Sequence, residues 1–221
     1  TAFDWSNAEM AKDPYANRDP RLGMTVVYNG MAWPKTTPVE VFEGGKNGQP
    51  IKNATTTGYY LRKYVNNSVT SQQHNWILFR YAEILLNYAE AMVNAYGDPD
   101  YTGSYSLSAR DAVNQVRNRG DVKMPAYPTD MKKDAFLKRL RNERRVEFAF
   151  EGQRFWDLRR WKELDNMQNI YKVKVVKQTD GTIQYTKVLH ATYNIQDKMY
   201  FYPISNTELF KNHKLVQNTG W

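Results

Sequence analysis

Residues 142–161 read NERRVEFAFEGQRFWDLRRW, and the way this stretch alternates charge with aromatic rings decides the fold class. A helix starting at Thr129 or Asp130 leads into it, carrying Phe136, Leu137, Leu140 and Phe148 inward at helical spacing. Gly152 breaks that helix, and a short one from Arg154 to Leu164 follows. On this reading Gly152 permits close packing of the two helices, with Phe148, Phe150, Phe155, Trp156 and Trp161 clustered around the break. Glu143, Glu147 and Glu151 stand at i, i+4 and i+8, which would place three carboxylates on one helix face at separations a glycosidase acid/base pair could use. Arg139, Arg141, Arg144, Arg145 and Arg154 surround them. A general acid working near pH 7 needs its pKa raised, whereas guanidinium neighbours hold a carboxylate ionised. The pattern therefore predicts a structural ion-pair network that locks a helix junction, with a glycoside hydrolase using these carboxylates as the alternative.

Upstream, a strong helix is predicted from Asn75 to Tyr96, where Ile77, Tyr81, Ile84/Leu85, Tyr88 and Met92 recur at three- and four-residue steps. Gly97 and Pro99 end it, and Glu83, Asn87, Glu90 and Asn94 line its other side. A second helix, capped by Ser106 or Ser108, runs through Val113 and Val116 to Gly120. Small residues Ala82, Ala89 and Ala112 let the two approach as an αα-hairpin, the unit that tetratricopeptide-type repeats stack. No second copy at a 34-residue period is visible. Downstream, Tyr171 to Lys177 and Thr182 to Leu189 flank Thr179-Asp180-Gly181 and predict a β-hairpin at about 171–189. The tail reads as a strand at Met199 to Ile204, then a capping box at Ser205-Asn206-Thr207-Glu208 opens one last helical turn. The expected fold class is mainly α with minor β, with residues 73–221 as its helical core.

Residues 1–72 read as a loop-rich segment, with Pro14, Pro20, Pro34, Pro38, Pro50 and the run Gly44-Gly45-Lys46-Asn47-Gly48 as breakers. Short strands are expected at Met24 to Tyr28 and Tyr59 to Val65. Carbohydrate recognition uses aromatic faces against the C–H side of sugar rings and polar side chains for hydroxyls. Tyr28, Asn29, Trp33, Tyr59 and Tyr60 are the candidate ligand-binding residues on that chemistry. The competing role for each ring is to pack the loops onto the helices.

Composition narrows the classes. The 221 residues are 41% hydrophobic and 24% charged, enough apolar content for a sizeable core. No run of 18 apolar residues exists to span a bilayer as a helix. Without cysteine, disulfides and thiolate chemistry are excluded, and three scattered histidines (His74, His190, His213) argue against zinc; no metal or cofactor is expected. The net charge of +8 would suit an anionic partner, yet the basic residues are interleaved with carboxylates, so no nucleic-acid partner is expected. Gly44 to Gly48 lacks phosphate-loop spacing, and Asp98-Pro99-Asp100 is a turn rather than a calcium site. Thr1 is not an initiator Met and no signal-like segment follows, so the sequence reads as processed or cut from something longer.

Taken in order, several segments resemble the SusD/RagB family. They are 17–22 (NRDPRL), 79–86 with 89–91 (FRYAEILL, AEA), 116–120 (VRNRG), 142–148 leading into 150–161, and the ending 202–209 with 212 and 215–221. The resemblance implies a non-enzymatic, surface-exposed outer-membrane lipoprotein of Bacteroidetes-type bacteria. Such a protein captures an oligosaccharide or other nutrient and lids a SusC-like TonB-dependent transporter. It also implies a predominantly helical fold with four tetratricopeptide-like units, of which the pair at 75–120 would be the last. The resemblance covers the C-terminal portion of such proteins, without the half that carries the lipidated cysteine and most repeats. Its motifs belong to the scaffold, so no ligand residue transfers from them. A site built from this portion alone is expected to bind glycan weakly, on the order of millimolar, about −4 kcal/mol. A protein-only interaction scaffold is a further alternative.

Overall fold

The computed structural model describes residues 3–34, 36–65 and 77–221. The first third holds two short helices that its breaker-rich composition did not predict, α1 (Ala8–Lys12) and α2 (Arg21–Thr25). Side chains build both: Asn7 Oδ1 accepts from the Glu9 and Met10 amides, and Asp19 accepts from the Arg21 amide. The two expected strands form, each cut to two residues, β1 (Val26–Val27) pairing antiparallel with β2 (Tyr60–Leu61). Positive φ at Gly30 and Tyr64 turns the chain beyond them.

Helix α3 (Tyr81–Tyr96) begins later than the periodicity predicts. Asn75 lies outside the described residues, residues 77–80 are not helical, and Arg80 is extended so that its side chain can reach the helix-junction carboxylates. The buried stripe is also rotated from the expected one. Leu85, Leu86, Ala89, Met92 and Val93 face inward, whereas Ile77, Tyr81 and Ile84 are exposed. Helix α4 (Ala109–Arg117) packs on α3, and its start is a complete capping box in which Ser108 and Asp111 bond each other's backbone amides. Helix α5 (Lys133–Glu147) adds Phe136 and Leu140, and Phe148 follows at its end, closing the larger core cluster. It does not start at Thr129 or Asp130, because the Arg110 guanidinium binds the carbonyls of Pro128 and Met131 and holds that segment outside a helix.

Helix α6 (Gln153–Arg160) follows the break. Gly152 has φ +79° and no atom within 4 Å of where a Cβ would stand. Its role is the left-handed turn and not the close helix approach expected of it. After a 3₁₀ turn at Leu164–Met167, β3 (Asn169–Lys177) and β4 (Ile183–Thr192) form the expected hairpin, longer at both ends, with a bulge between Ile170 and Tyr171. Asp180 shapes its tip by accepting from the Thr182 amide and hydroxyl at 2.9 and 2.7 Å. Val173 and Val175 alternate inward and meet Val27, Val39 and Val41 in a second cluster, which joins the first third to the hairpin.

The expected strand at Met199 to Ile204 does not form. A 3₁₀ turn occupies Asp197–Tyr200, and the Gln217 amide takes both backbone groups of Ile204, at 2.8 and 2.9 Å, in place of a strand partner. Helix α7 (Asn206–Lys211) then starts at Ser205, whose hydroxyl accepts from the Glu208 amide. Mostly helical, with two small antiparallel strand pairs, the architecture is that of the expected fold class. Among the described residues no helix is long and apolar enough to cross a membrane.

Candidate functional site

Two regions of the sequence invite a functional reading, the carboxylates of 142–161 and the rings of 1–72. The carboxylates are sequestered. Glu143 and Glu147 are 2% and 3% exposed on the inner side of α5. Arg21, reaching in from α2, donates to Glu143 at 2.6 Å and to Glu147 at 2.8 Å, while its other nitrogens grip Asp19. Arg117 donates to the second oxygen of Glu143 at 2.5 Å. Arg80 bridges Glu147 at 2.6 Å and Glu151 at 2.8 Å, Arg119 binds Glu147, and Lys63 binds Glu151 together with the carbonyls of Glu147 and Ala149.

The expected ion-pair lock is therefore present, with two differences. Helix α5 stops at Glu147, so Glu151 does not share its face at i+8; the chain turns at Phe150, which has positive φ, and Glu151 shares Arg80 with Glu147. The partners are also different from the arginines written around the carboxylates. Arg144 instead pairs with buried Asp157 at 2.9 and 3.0 Å, and Arg160 with Glu90 at 2.6 and 2.7 Å, joining α5, α6 and α3.

Burial alone would raise the Glu147 carboxyl, but hydrogen bonds from Arg119, Arg21 and Arg80 outweigh it and hold the group at about 2. An acid that stays ionised throughout the neutral range has no proton to give a leaving group, which removes Glu147 as a general acid. Among the described residues no group of three or more His, Cys, Asp or Glu is arranged to hold a metal ion.

The five candidate ligand-binding residues lie together around the second core cluster. Tyr28 stacks on Tyr15 with ring centroids 4.2 Å apart, and Tyr59 meets Tyr15 edge-on at 6.1 Å. Tyr60 donates its hydroxyl to the Asn47 carbonyl at 2.6 Å and accepts from the Thr55 amide. Trp33 sits beneath the Arg62 guanidinium, 5.6 Å from its centroid. All four rings are half-buried. Asn29 is buried; its oxygen accepts from the Val41 amide at 3.0 Å and its nitrogen donates to the Tyr185 hydroxyl at 3.1 Å. Burial pushes the Tyr15 and Tyr59 hydroxyls upward, so both stay protonated.

A second ring group joins Phe155 and Trp156, two of the rings expected around the break, to Tyr202, which the sequence did not single out. Tyr202 meets Phe155 and Trp156, each at 6.1 Å, and the Arg159 guanidinium lies 3.5 Å over Phe155. Trp156 and Tyr202 are 57% and 56% exposed. Nothing local in sequence links Tyr202 to the α6 rings, since the junction is tertiary.

With the geometry in hand, relatives place the chain. The model of the SusD family matches residues 4–221. The chain is 36% identical over 106 residues to SusD-like protein P38 of Formosa agariphila, a match covering 44% of this chain and 20% of that protein. A crystal structure of a SusD-like protein from Bacteroides fragilis superposes with a TM-score of 0.76 at 28% identity, over 94% of this chain and 39% of that one. A SusD homolog from Bacteroides thetaiotaomicron shares the fold at a TM-score of 0.58 and 22% identity, over 92% of this chain and 41% of that one. The chain thus spans well under half the length of these relatives. The match to the family model runs through the helix junction, the hairpin and the capped tail alike, and on that extent the chain belongs to the SusD family.

Proposed function

We propose that the chain is part of a non-enzymatic protein that binds an oligosaccharide or other nutrient at the cell surface, working with a SusC-like TonB-dependent transporter. The observation that carries this reading is the family match over residues 4–221. In it, residues 1–72 face the ligand and 73–221 form the helical frame. Tyr28, Trp33, Tyr59 and Tyr60 offer ring faces, and Asn29 holds their loops through both of its amide atoms. Rings already braced by neighbours bind sugar with little further ordering, which favours this use of a half-buried cluster. The location follows the same proposal: a surface-exposed outer-membrane lipoprotein.

Absence of turnover is supported by the burial and ion pairing of Glu143 and Glu147, and by the ionised state of Glu147, which has no proton to give a leaving group. Calorimetric titration of a glycan panel, followed by product analysis, tests the reading. Binding without product release is expected. Reducing-end release abolished by Glu143→Gln or Glu147→Gln would establish a hydrolase instead, and transporter capture with no glycan binding would establish a protein-only scaffold.

A further inference from the structure

Helix α5 has a second charged face, and it is not neutralised. Asp134, Lys138, Arg141 and Arg145 recur every three or four residues on the side opposite Phe136, Leu140, Glu143 and Glu147. Across from them stand Arg154, in the first turn of α6, and Glu163 and Asn166 beyond its end. Between lies a groove of about 560 Å³, within the range of small-molecule sites. Leu137 is its single apolar lining residue.

Its charge is unbalanced. Four cationic side chains face two carboxylates, and one of those, Glu163, is taken by Arg141. Of the chain's 14 arginines, Arg145 and Arg154 alone make no hydrogen bond, ion pair or ring contact among the described residues. Burial, and then the like charge of Arg145, disfavour the charged form of half-buried Arg154, a cost that an anion between the two would relieve.

We infer that this groove binds an oxyanion carried on a sugar, a uronate carboxylate or a sulfate ester, held by Arg145 and Arg154. Guanidinium groups present paired donors that match the two oxygens of such a group. The Asn142 and Asn166 amides supply donors and acceptors for neighbouring hydroxyls. A peptide would also offer carboxylates, but an extended peptide docks its neighbouring side chains in apolar pockets, and Leu137 is the single apolar residue this groove supplies for that. The inference rests on the nutrient-binding reading and narrows its ligand to acidic saccharides at a place apart from the rings of residues 1–72.

The test titrates the 221-residue chain with trigalacturonate and its methyl-esterified neutral counterpart, and with a sulfated disaccharide and its desulfated form. Binding of either acid, absent for its neutral counterpart, is expected. Arg145→Gln and Arg154→Gln should each weaken it about tenfold or more at unchanged melting temperature, since each removes a charge-assisted hydrogen bond. Lys174→Gln, an exposed change on the hairpin, should leave affinity unchanged. Equal weakening by Lys174→Gln would mean diffuse attraction to a chain of charge +8 and overturn the inference. So would preference for a hexaglutamate peptide over both sugar acids. Binding of neutral glycans with the acids ignored overturns the inference and leaves the nutrient reading standing; no saccharide binding at all overturns both.

Discussion

Arg21 and Glu143 are separated by 122 positions in the chain, yet Nη1 of the arginine lies 2.6 Å from Oε1 of the glutamate, with both side chains almost wholly buried. That contact pins a five-residue helix from the loop-rich first third onto the central face of α5. Such a short helix cannot hold itself together in water, so its position is set by the ion pair and not the reverse.

Removing the arginine should therefore be costly. Arg21→Ala leaves Asp19 and the Glu147 oxygen at 2.8 Å short of a partner and strips Glu143 of one of two. Breaking one side of a buried pair costs about 3–5 kcal/mol. Urea denaturation of the variant should show a loss of that order; a midpoint within experimental error of the wild type would mean the carboxylates are solvated in solution.

Acid should weaken the junction in a defined window. The Glu147 carboxyl stands at about 2 when folded against a usual 4.5, so its contribution is complete above pH 4.5 and disappears as the pH falls toward 2. At about 1.4 kcal/mol per pH unit this amounts to roughly 3 kcal/mol. Melting temperature should be flat with respect to this group from pH 5 to 7 and fall below that. A carboxyl ¹³C titration placing the Glu147 midpoint near 4.5 would contradict it.

Gly152 separates conformation from space. Its φ of +79° penalises any side chain, but the direction a Cβ would take is empty. Gly152→Ala should cost about 1–2 kcal/mol through backbone strain alone. Gly152→Asn should cost less, because Asn tolerates the left-handed region. If steric crowding governed the site, Asn would be the worse of the two in thermal melts.

The two faces of α3 give a matched pair. Leu86 is fully buried and Ile84 is 53% exposed, although the residues are two apart and similar in size. Leu86→Ala should cost about 2–5 kcal/mol. Ile84→Ala should stay within about 0.5 kcal/mol. Equal losses would show that Ile84 is covered in solution.

These cases show what the sequence could disclose. A cap at Ser106 or Ser108, of which Ser108 forms it, and the Thr179-Asp180-Gly181 tip were legible because each is satisfied within four consecutive residues. Helix α2 was not, since its stability comes from Glu143 and Glu147, more than a hundred positions away. Periodicity located α3 but not its rotation: an apolar residue at the edge of a helical stripe, such as Ile84, is buried only if a neighbour is there to cover it. The candidate rings were visible as a composition, while the contacts that brace them, such as Tyr28 on Tyr15, are tertiary.

Tyr60 offers a way to divide ring from hydroxyl in the proposed ligand surface. Its hydroxyl satisfies the Asn47 carbonyl and the Thr55 amide, so Tyr60→Phe leaves two backbone groups without that partner while preserving the ring. Stability should fall by about 1–3 kcal/mol as those groups lose their bonds. Glycan affinity measured by calorimetry below the melting transition should persist, because stacking on a sugar uses the ring face. Tyr60→Leu and Trp33→Ala remove the face itself and should each abolish measurable binding. Affinity that falls with the hydroxyl in Tyr60→Phe yet survives in Trp33→Ala would assign the ligand to polar groups and release the rings to their packing role.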